Sequence, residues 1–199
     1  MLKIYHADVK KIDINAASPL SDYRMERIRR LKNEKKIKES IGAELLLNHA
    51  VKLCFPCVAL PLNIVCSEYG KPKIADAKFH FSLSHSEWHA LCAVSDGVVG
   101  ADIQHTAKFN DGVTRRFFAE NEREYILSQP DRDAAFTEIW CKKESCIKAA
   151  GTGLSTPLKS FSVIGRDDIF YTAVGKYHIA ICTPDGIAES IELTEVPLE

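Results

Sequence analysis

Apolar residues recur at helical spacing in two long stretches of the chain and in short strand-like runs elsewhere. Met25, Ile28 and Leu31 mark residues 22–38 as helical. Positions 41, 45, 46, 49, 50 and 53 predict an amphipathic helix over Ile41–Leu53, ended by Pro56. Shorter runs read as strands: Leu2–Val9, Asn63–Cys66, Lys78–Leu83 and His89–Val94. A Ser95-Asp96-Gly97 turn leads to one more, Val98–Ile103. A polar, irregular stretch to Thr114 precedes helical material from Arg115 to Ala150. There Phe136, Ile139, Trp140, Lys143, Ile147 and Ala150 fall on neighbouring faces, and Gly151-Thr152-Gly153 stops the helix. Strands Phe161–Ile164, Ile169–Val174 and Tyr177–Cys182 follow, the last two joined by a tight turn at Gly175-Lys176.

Strand, helices, then several strands therefore occur twice, with a junction near 97–101. The pattern predicts an α+β fold of two similar halves, residues 1–97 and 98–199, each a small, mostly antiparallel sheet packed with helices. A cleft between such halves is a natural ligand site.

Composition narrows the class. With 199 residues and 46% apolar content the chain can bury a real core. Its 26 basic and 27 acidic side chains nearly cancel, which argues against affinity for a nucleic-acid backbone. The most apolar candidate span, Leu45–Cys66, is interrupted by Asn48, His49, Lys52, Pro56, Pro61 and Asn63, so no membrane segment is expected. The start MLKIYHADVKK has no secretion-signal pattern. Seven cysteines, an odd number placed mostly in apolar runs, read as small core residues in a reducing cytoplasm. Cys54 and Cys57 have no second pair at zinc-site spacing. One local asymmetry stands out. Residues 22–38 carry Arg24, Arg27, Arg29, Arg30, Lys32, Lys35, Lys36 and Lys38 against Asp22, Glu26 and Glu34, a net +5 in a chain of net charge −1.

Three segments carry candidate chemistry. In Phe81-Ser-Leu-Ser-His-Ser86 a strand runs into small hydroxyl residues and an imidazole. In Gly100-Ala-Asp-Ile-Gln104, Asp102 and Gln104 are two apart on a strand and share a face. In Trp140-Cys-Lys-Lys-Glu-Ser-Cys-Ile-Lys148, Glu144 and Lys148 are one helical turn apart; alone they read as a surface ion pair. Together, Asp102, Gln104 and Glu144 could supply oxygen ligands to a hard divalent cation, with Lys148 in reach of a phosphate of the same substrate.

In this order, the segments resemble the 4′-phosphopantetheinyl transferases of the surfactin-synthetase type. The matching pieces are Glu68-Tyr-Gly-Lys-Pro72, Phe81–Ser86, Gly100–Gln104, Phe117-Phe118 with Glu122, and Trp140-x-x-Lys-Glu-Ser-x-x-Lys148-x-x-Gly-x-Gly-Leu154. The resemblance implies a pseudo-dimer with its active site between the halves. It implies an enzyme that transfers the phosphopantetheine arm of coenzyme A to a serine of an apo acyl or peptidyl carrier protein, releasing adenosine 3′,5′-bisphosphate. By position, Asp102 and Glu144 would bind Mg²⁺ with the pyrophosphate, which Lys148 would contact. Gln104 can add a carbonyl oxygen to the metal site, and the serine hydroxyl needs a proton acceptor in reach, for which Glu144 is the candidate. Ser84, His85, Lys71, Arg24 and Arg27 would hold the 3′-phosphate and adenosine end, so the first half takes the nucleotide and the second the metal and carrier. Coenzyme A bears roughly four negative charges, which gives the +5 segment a compact polyanion to serve.

Arg115, Arg116, Phe117 and Phe118 fall in the family's region of carrier contact; two core phenylalanines flanked by exposed arginines fit the pattern equally. Two positions depart from the family: Gln104 stands where glutamate is usual, and Glu39 where an arginine is common. The first admits a non-catalytic coenzyme A or carrier-protein binder as the alternative, and the residues alone would also permit a metal-dependent phosphate-ester hydrolase. A doubled chain that builds its own cleft needs no second copy, so a monomer is expected.

Overall fold

A computed structural model describes residues 1–15, 19–186 and 191–198. Strand β1 (Leu2–Asp8) opens the chain and is followed by α1 (Asp22–Arg29), α2 (Glu34–Cys54) and a small hairpin of β2 (Ile64–Cys66) with β3 (Pro72–Ile74). Strands β4 (His80–Ser86) and β5 (His89–Ser95) complete the first sheet, in the order β4-β5-β1 with both pairings antiparallel. The second run is β6 (Gly100–His105), α3 (Asp111–Phe117), α4 (Glu120–Ser128), α5 (Arg132–Ala150), β7 (Ile169–Val174) and β8 (Tyr177–Cys182). Its sheet has the order β6-β8-β7, again antiparallel throughout.

The two runs share one plan: a strand, a long helix, then a hairpin whose second strand pairs with the first strand. The predicted α+β pair of similar halves is the observed architecture. Packing repeats the plan. Ala90, Cys92 and Val94 of β5 face Leu46, Leu47, Ala50 and Val51 of α2 in the first core. The alternate residues Leu91 and Ala93 join Ile4 of β1 in a third core, shared with Ala101 and Ile103 of β6 and Ile179 and Ile181 of β8. Corresponding strands of the two halves thus bury their outer faces on each other. Strand β5 is covered on both faces, which is why Ala-Leu-Cys-Ala-Val reads as an unbroken apolar run.

The halves also meet along a row of hydroxyls. Ser82 Oγ accepts from the Ala101 amide (2.9 Å), Ser84 Oγ donates to Asp102 Oδ1 (2.7 Å), and Ser86 Oγ accepts from the His105 amide (3.0 Å). Residues two apart on β4 share a face, so the alternating serines of Phe81–Ser86 stitch β4 to β6 without a backbone ladder.

Several predicted elements are corrected. Residues 22–38 are not one helix: α1 ends at Arg30, and Asn33 accepts from the Lys36 amide to start α2 afresh. The region from Arg115 to Ala150 divides into three helices; α3 begins at Asp111, capped by Asn110. The predicted strand Phe161–Ile164 is irregular because the Phe161 carbonyl accepts from Lys143 and the Val163 amide donates to Glu122. Strand β9 (Leu193–Glu195) was not predicted. It returns from the C-terminal run to pair in parallel with β1, a long-range partner that local pattern does not disclose. No helix among the described residues is long and apolar enough to cross a membrane.

Candidate active site

The end of α5 and the start of β6 approach unusually closely. A Cβ on Gly100 would lie 2.0 Å from the Ser145 carbonyl oxygen and 2.2 Å from the Ala149 nitrogen, so only glycine permits the contact. It brings Asp102, two residues along β6, to the side of α5 that carries Glu144 and Lys148. The helix is held in rotation from its other side by a sealed pair. Lys143 donates to Glu122 (2.7 and 2.8 Å) and to the Phe161 carbonyl (2.6 Å), while Glu122 also accepts from the Val163 and Ala119 amides.

Asp102 is buried and receives three donors. Lys148 Nζ and Ser84 Oγ reach Oδ1 at 2.6 and 2.7 Å, and Gln104 Nε2 reaches Oδ2 at 2.9 Å. Lys148 therefore pairs with Asp102 across the β6–α5 contact rather than with Glu144 on its own helix, as the spacing alone suggested. Glu144 accepts no hydrogen bond among the described residues. Burial, with the nearby Asp102 charge adding to it, raises its carboxyl above the ordinary range, and Lys148 opposes the shift.

Asp102, Gln104, Glu144 and Lys148 share one cavity of about 410 Å³ with Ser84, His85, Arg24 and Arg27. A second cavity of about 260 Å³ adjoins it, sharing Leu83, Glu144 and Lys148 and lined further by Tyr69, Phe81 and Ile147. Eight of the nine residues singled out by sequence for metal, coenzyme A and catalysis thus line one space. Lys71 touches only the second cavity. Its ammonium turns into the seam, donating to the carbonyls of Ala149 (2.9 Å) and Val99 (3.2 Å), and burial pulls it below its ordinary range.

The cations at the other end differ in freedom. Arg24 is buried and committed to Glu44 and Ser40, both at 3.0 Å. Arg27 meets no carboxylate among the described residues; it lies over the Tyr23 ring and within 3.4 Å of its hydroxyl. His85 is half-buried between burial and the cations Lys36, Lys148 and Arg24, which push its imidazole down, and Glu39, which pushes it up; the net shift is downward. Sequence reasoning missed the roles of Glu44, Ser40 and the buried Glu39. A buried acid in the middle of an otherwise apolar helix face was the available signal.

The expected carrier surface divides. Phe118 is core, stacked on Phe136 with ring centroids 5.6 Å apart. Phe117 is partly covered, with Arg116 over its ring, and Arg115 is exposed and paired with Asp111.

The donor set suits a hard cation such as Mg²⁺: two carboxylates, one from β6 and one from α5, and an amide, all facing one cavity. No group of three or more His, Cys, Asp or Glu side chains poised for a metal occurs among the described residues, so a bound phosphate and water would have to complete the shell.

A family model described as the 4′-phosphopantetheinyl transferase superfamily matches residues 98–186. The chain is 32% identical over 170 residues to a 4′-phosphopantetheinyl transferase of Bacillus subtilis, covering 84% of this chain and 72% of the relative. It is 32% identical over 148 residues to 4′-phosphopantetheinyl transferase Sfp of Bacillus subtilis (strain 168), covering 72% and 66%. It is 40% identical over 97 residues to 4′-phosphopantetheinyl transferase gsp of Aneurinibacillus migulanus, covering 48% and 40%.

Proposed function

We propose a reaction for this chain from one premise: it belongs to the 4′-phosphopantetheinyl transferase superfamily, of the surfactin-synthetase type, and is an enzyme of that class. It transfers the phosphopantetheine arm of coenzyme A to a carrier protein. In the full proposal the acceptor is a serine hydroxyl of an apo acyl or peptidyl carrier, the reaction depends on Mg²⁺, and adenosine 3′,5′-bisphosphate leaves. The observation that carries this reading is the convergence of Asp102, Glu144 and Lys148, from the two sides of the β6–α5 contact, on one cavity.

The serine oxygen attacks the phosphorus on the pantetheine side of the diphosphate. The bond from that phosphorus to the bridging oxygen breaks, and the bisphosphate leaves with the electron pair. Charge develops on phosphate oxygens, so positioning and cationic stabilisation dominate. Lys148, 29% exposed at the cavity, can reach the diphosphate once its contact with Asp102 is given up. Asp102, Glu144 and the Gln104 amide oxygen would hold that ion. Bound there, Mg²⁺ would neutralise charge on the diphosphate and fix its orientation. Glu144 receives the serine proton, and burial raises its affinity for protons. Arg27 and His85, with Arg24 behind them, meet the 3′-phosphate and adenosine end. The Ser84 hydroxyl and the Lys71 ammonium support the walls of the site.

In this reading residues 1–97 hold the nucleotide and residues 98–199 supply the metal site and the carrier surface at Arg115 and Arg116. The protein works as a monomer in the cytoplasm. The deciding experiment incubates it with coenzyme A, Mg²⁺ and an apo carrier and weighs the carrier. A phosphopantetheine mass gain on serine, abolished by chelation, is expected. Free bisphosphate without carrier modification would show hydrolysis instead, and binding with no product would show a non-catalytic binder.

A further inference from the structure

Glu39 is an anion buried at the cationic end of the cleft. Its side chain has no exposed surface. Oε2 accepts from Lys36 Nζ at 2.8 Å and lies 3.2 Å from His85 Nδ1, while Oε1 accepts from the Trp88 amide at 3.1 Å. The contact with Nδ1 is angled off the hydrogen-bond line, and that nitrogen is buried without any other partner. Glu87 and Trp88, the two-residue link between β4 and β5, both have positive φ, 44° and 70°. Non-glycine residues persist there only when their surroundings over-determine them, and such strain gathers at functional sites. Here Glu39 takes the Trp88 amide, the Val9 amide takes the Trp88 carbonyl, and Lys35 pairs with Glu87. The strained link fixes the end of β4, two residues beyond His85.

We infer that Glu39 is a positioning residue: it holds the His85 ring with its proton on Nδ1, leaving Nε2 at the cavity to meet the anionic nucleotide end of coenzyme A and to take up a proton on doing so. This rests on the proposed contact between His85 and coenzyme A. The charged groups around His85 are Glu39 and Lys36 from α2, Arg24 from α1 and Lys148 from α5, and Arg27 lines the same cavity. Glu39 is the one carboxylate in contact with the ring among the described residues, while Asp102 and Glu144 also line the cavity. Burial and the three nearest cations lower the imidazole's affinity for a proton, and Glu39 opposes them. An arriving phosphate adds a further anion, so the ring gains a proton from solvent as the ligand binds.

The test measures coenzyme A binding by calorimetry in buffers of different ionisation enthalpy, from about pH 5.5 to 8.5. Wild-type protein takes up a fraction of a proton per ligand near pH 7.5. Glu39→Gln raises the Kd about tenfold near pH 7.5, and the gap narrows as pH falls toward 5.5, where solvent supplies more readily the proton that Glu39 helps the ring to hold. The ligand's own phosphate titration cancels in that comparison. At saturating coenzyme A the variant's kcat stays within about threefold of wild type, so the change sits in KM. Glu39→Asp recovers part of the affinity, and adding Glu39→Gln to His85→Gln changes the Kd no further.

A loss of affinity that is independent of pH, or additive with His85→Gln, overturns the inference. If His85→Gln weakens binding and Glu39→Gln does not, the inference alone falls. If His85→Gln binds as wild type does, the contact it rests on falls too. Should Glu39→Gln not fold, wild-type protein still decides: ¹⁵N shifts of His85 must show the Nδ1–H tautomer near pH 8, and an Nε2–H ring or zero proton uptake overturns the inference.

Discussion

Two of the lysines on helix α5 that pair with a carboxylate from another element, Lys143 and Lys148, stand five residues apart, and their pairs are opposites. Lys143 and Glu122 are both 0% exposed, and every oxygen and proton of the pair that can be matched is matched by backbone or by the partner. Lys148 is 29% exposed beside an Asp102 at 2%, and its partner already receives two further donors. The first pair has nowhere to go, so it acts as a bolt that sets the rotation of α5. The second opens on a cavity that Asp102 and Lys148 both line, so water or a ligand can replace the partner when the pair breaks. The same residue types thus give architecture where water is excluded and chemistry where a ligand can enter.

Breaking the sealed pair is the largest effect expected. Lys143→Met strands a buried carboxylate and lowers unfolding free energy by about 3–5 kcal/mol, measured by urea denaturation. Adding Glu122→Leu restores most of that, because an apolar pair of similar volume has no desolvation penalty to offset. If the single variant is as stable as wild type, the bolt is not structural. Lys148→Ala gives the reverse profile. Its stability falls by less than that of Lys143→Met, because the cavity lets water take the ammonium's place on Asp102, while turnover falls about 10²–10³-fold. Equal losses of stability in the two lysine variants would erase the distinction.

Much of this contrast was legible in the sequence. Helical residues five apart lie about 140° from each other, so Lys143 and Lys148 could never share a cleft, while Glu144 and Lys148 had to share a face. The strands Ile169–Val174 and Tyr177–Cys182 were bounded correctly because a tight turn and apolar runs fix them locally. What escaped depended on contacts far apart in the chain. The Lys148 partner lies 46 residues away, and the Lys71 ammonium is captured by two carbonyls that no motif announces. Of the serines in Phe81–Ser86, Ser82 and Ser86 serve the seam, a role indistinguishable by composition from ligand binding. Residues 161–164 have strand-like composition, but their backbone groups are consumed by the sealed pair.

Glu144 sharpens the comparison through stability. Its folded-state proton affinity is raised by burial and by Asp102, so its ionised form opposes folding: stability is fully present below the unfolded value and is lost as pH rises through the folded one. Glu144→Gln removes that opposition. Thermal melting at pH values above the ordinary carboxylate range then rises relative to wild type, while transfer to the carrier falls by about 10²-fold or more. A variant that loses activity together with stability would mark Glu144 as structural, like Glu122.

The smallest effect belongs to Gln104, which decides how open the second pair is. Its amide nitrogen donates to Asp102, so it currently reinforces that carboxylate in the company of Lys148. Gln104→Glu replaces a donor by a second anion on the same strand face. Repulsion from Asp102 then favours a divalent cation over the lone ammonium, and the Mg²⁺ concentration for half-maximal rate falls about tenfold with kcat within about threefold. Calorimetric titration of Mg²⁺ with coenzyme A present reads the same shift without turnover. If the metal dependence stays unchanged, Gln104 lies outside the ligand shell, and Asp102 and Glu144 must hold the ion with substrate and water alone.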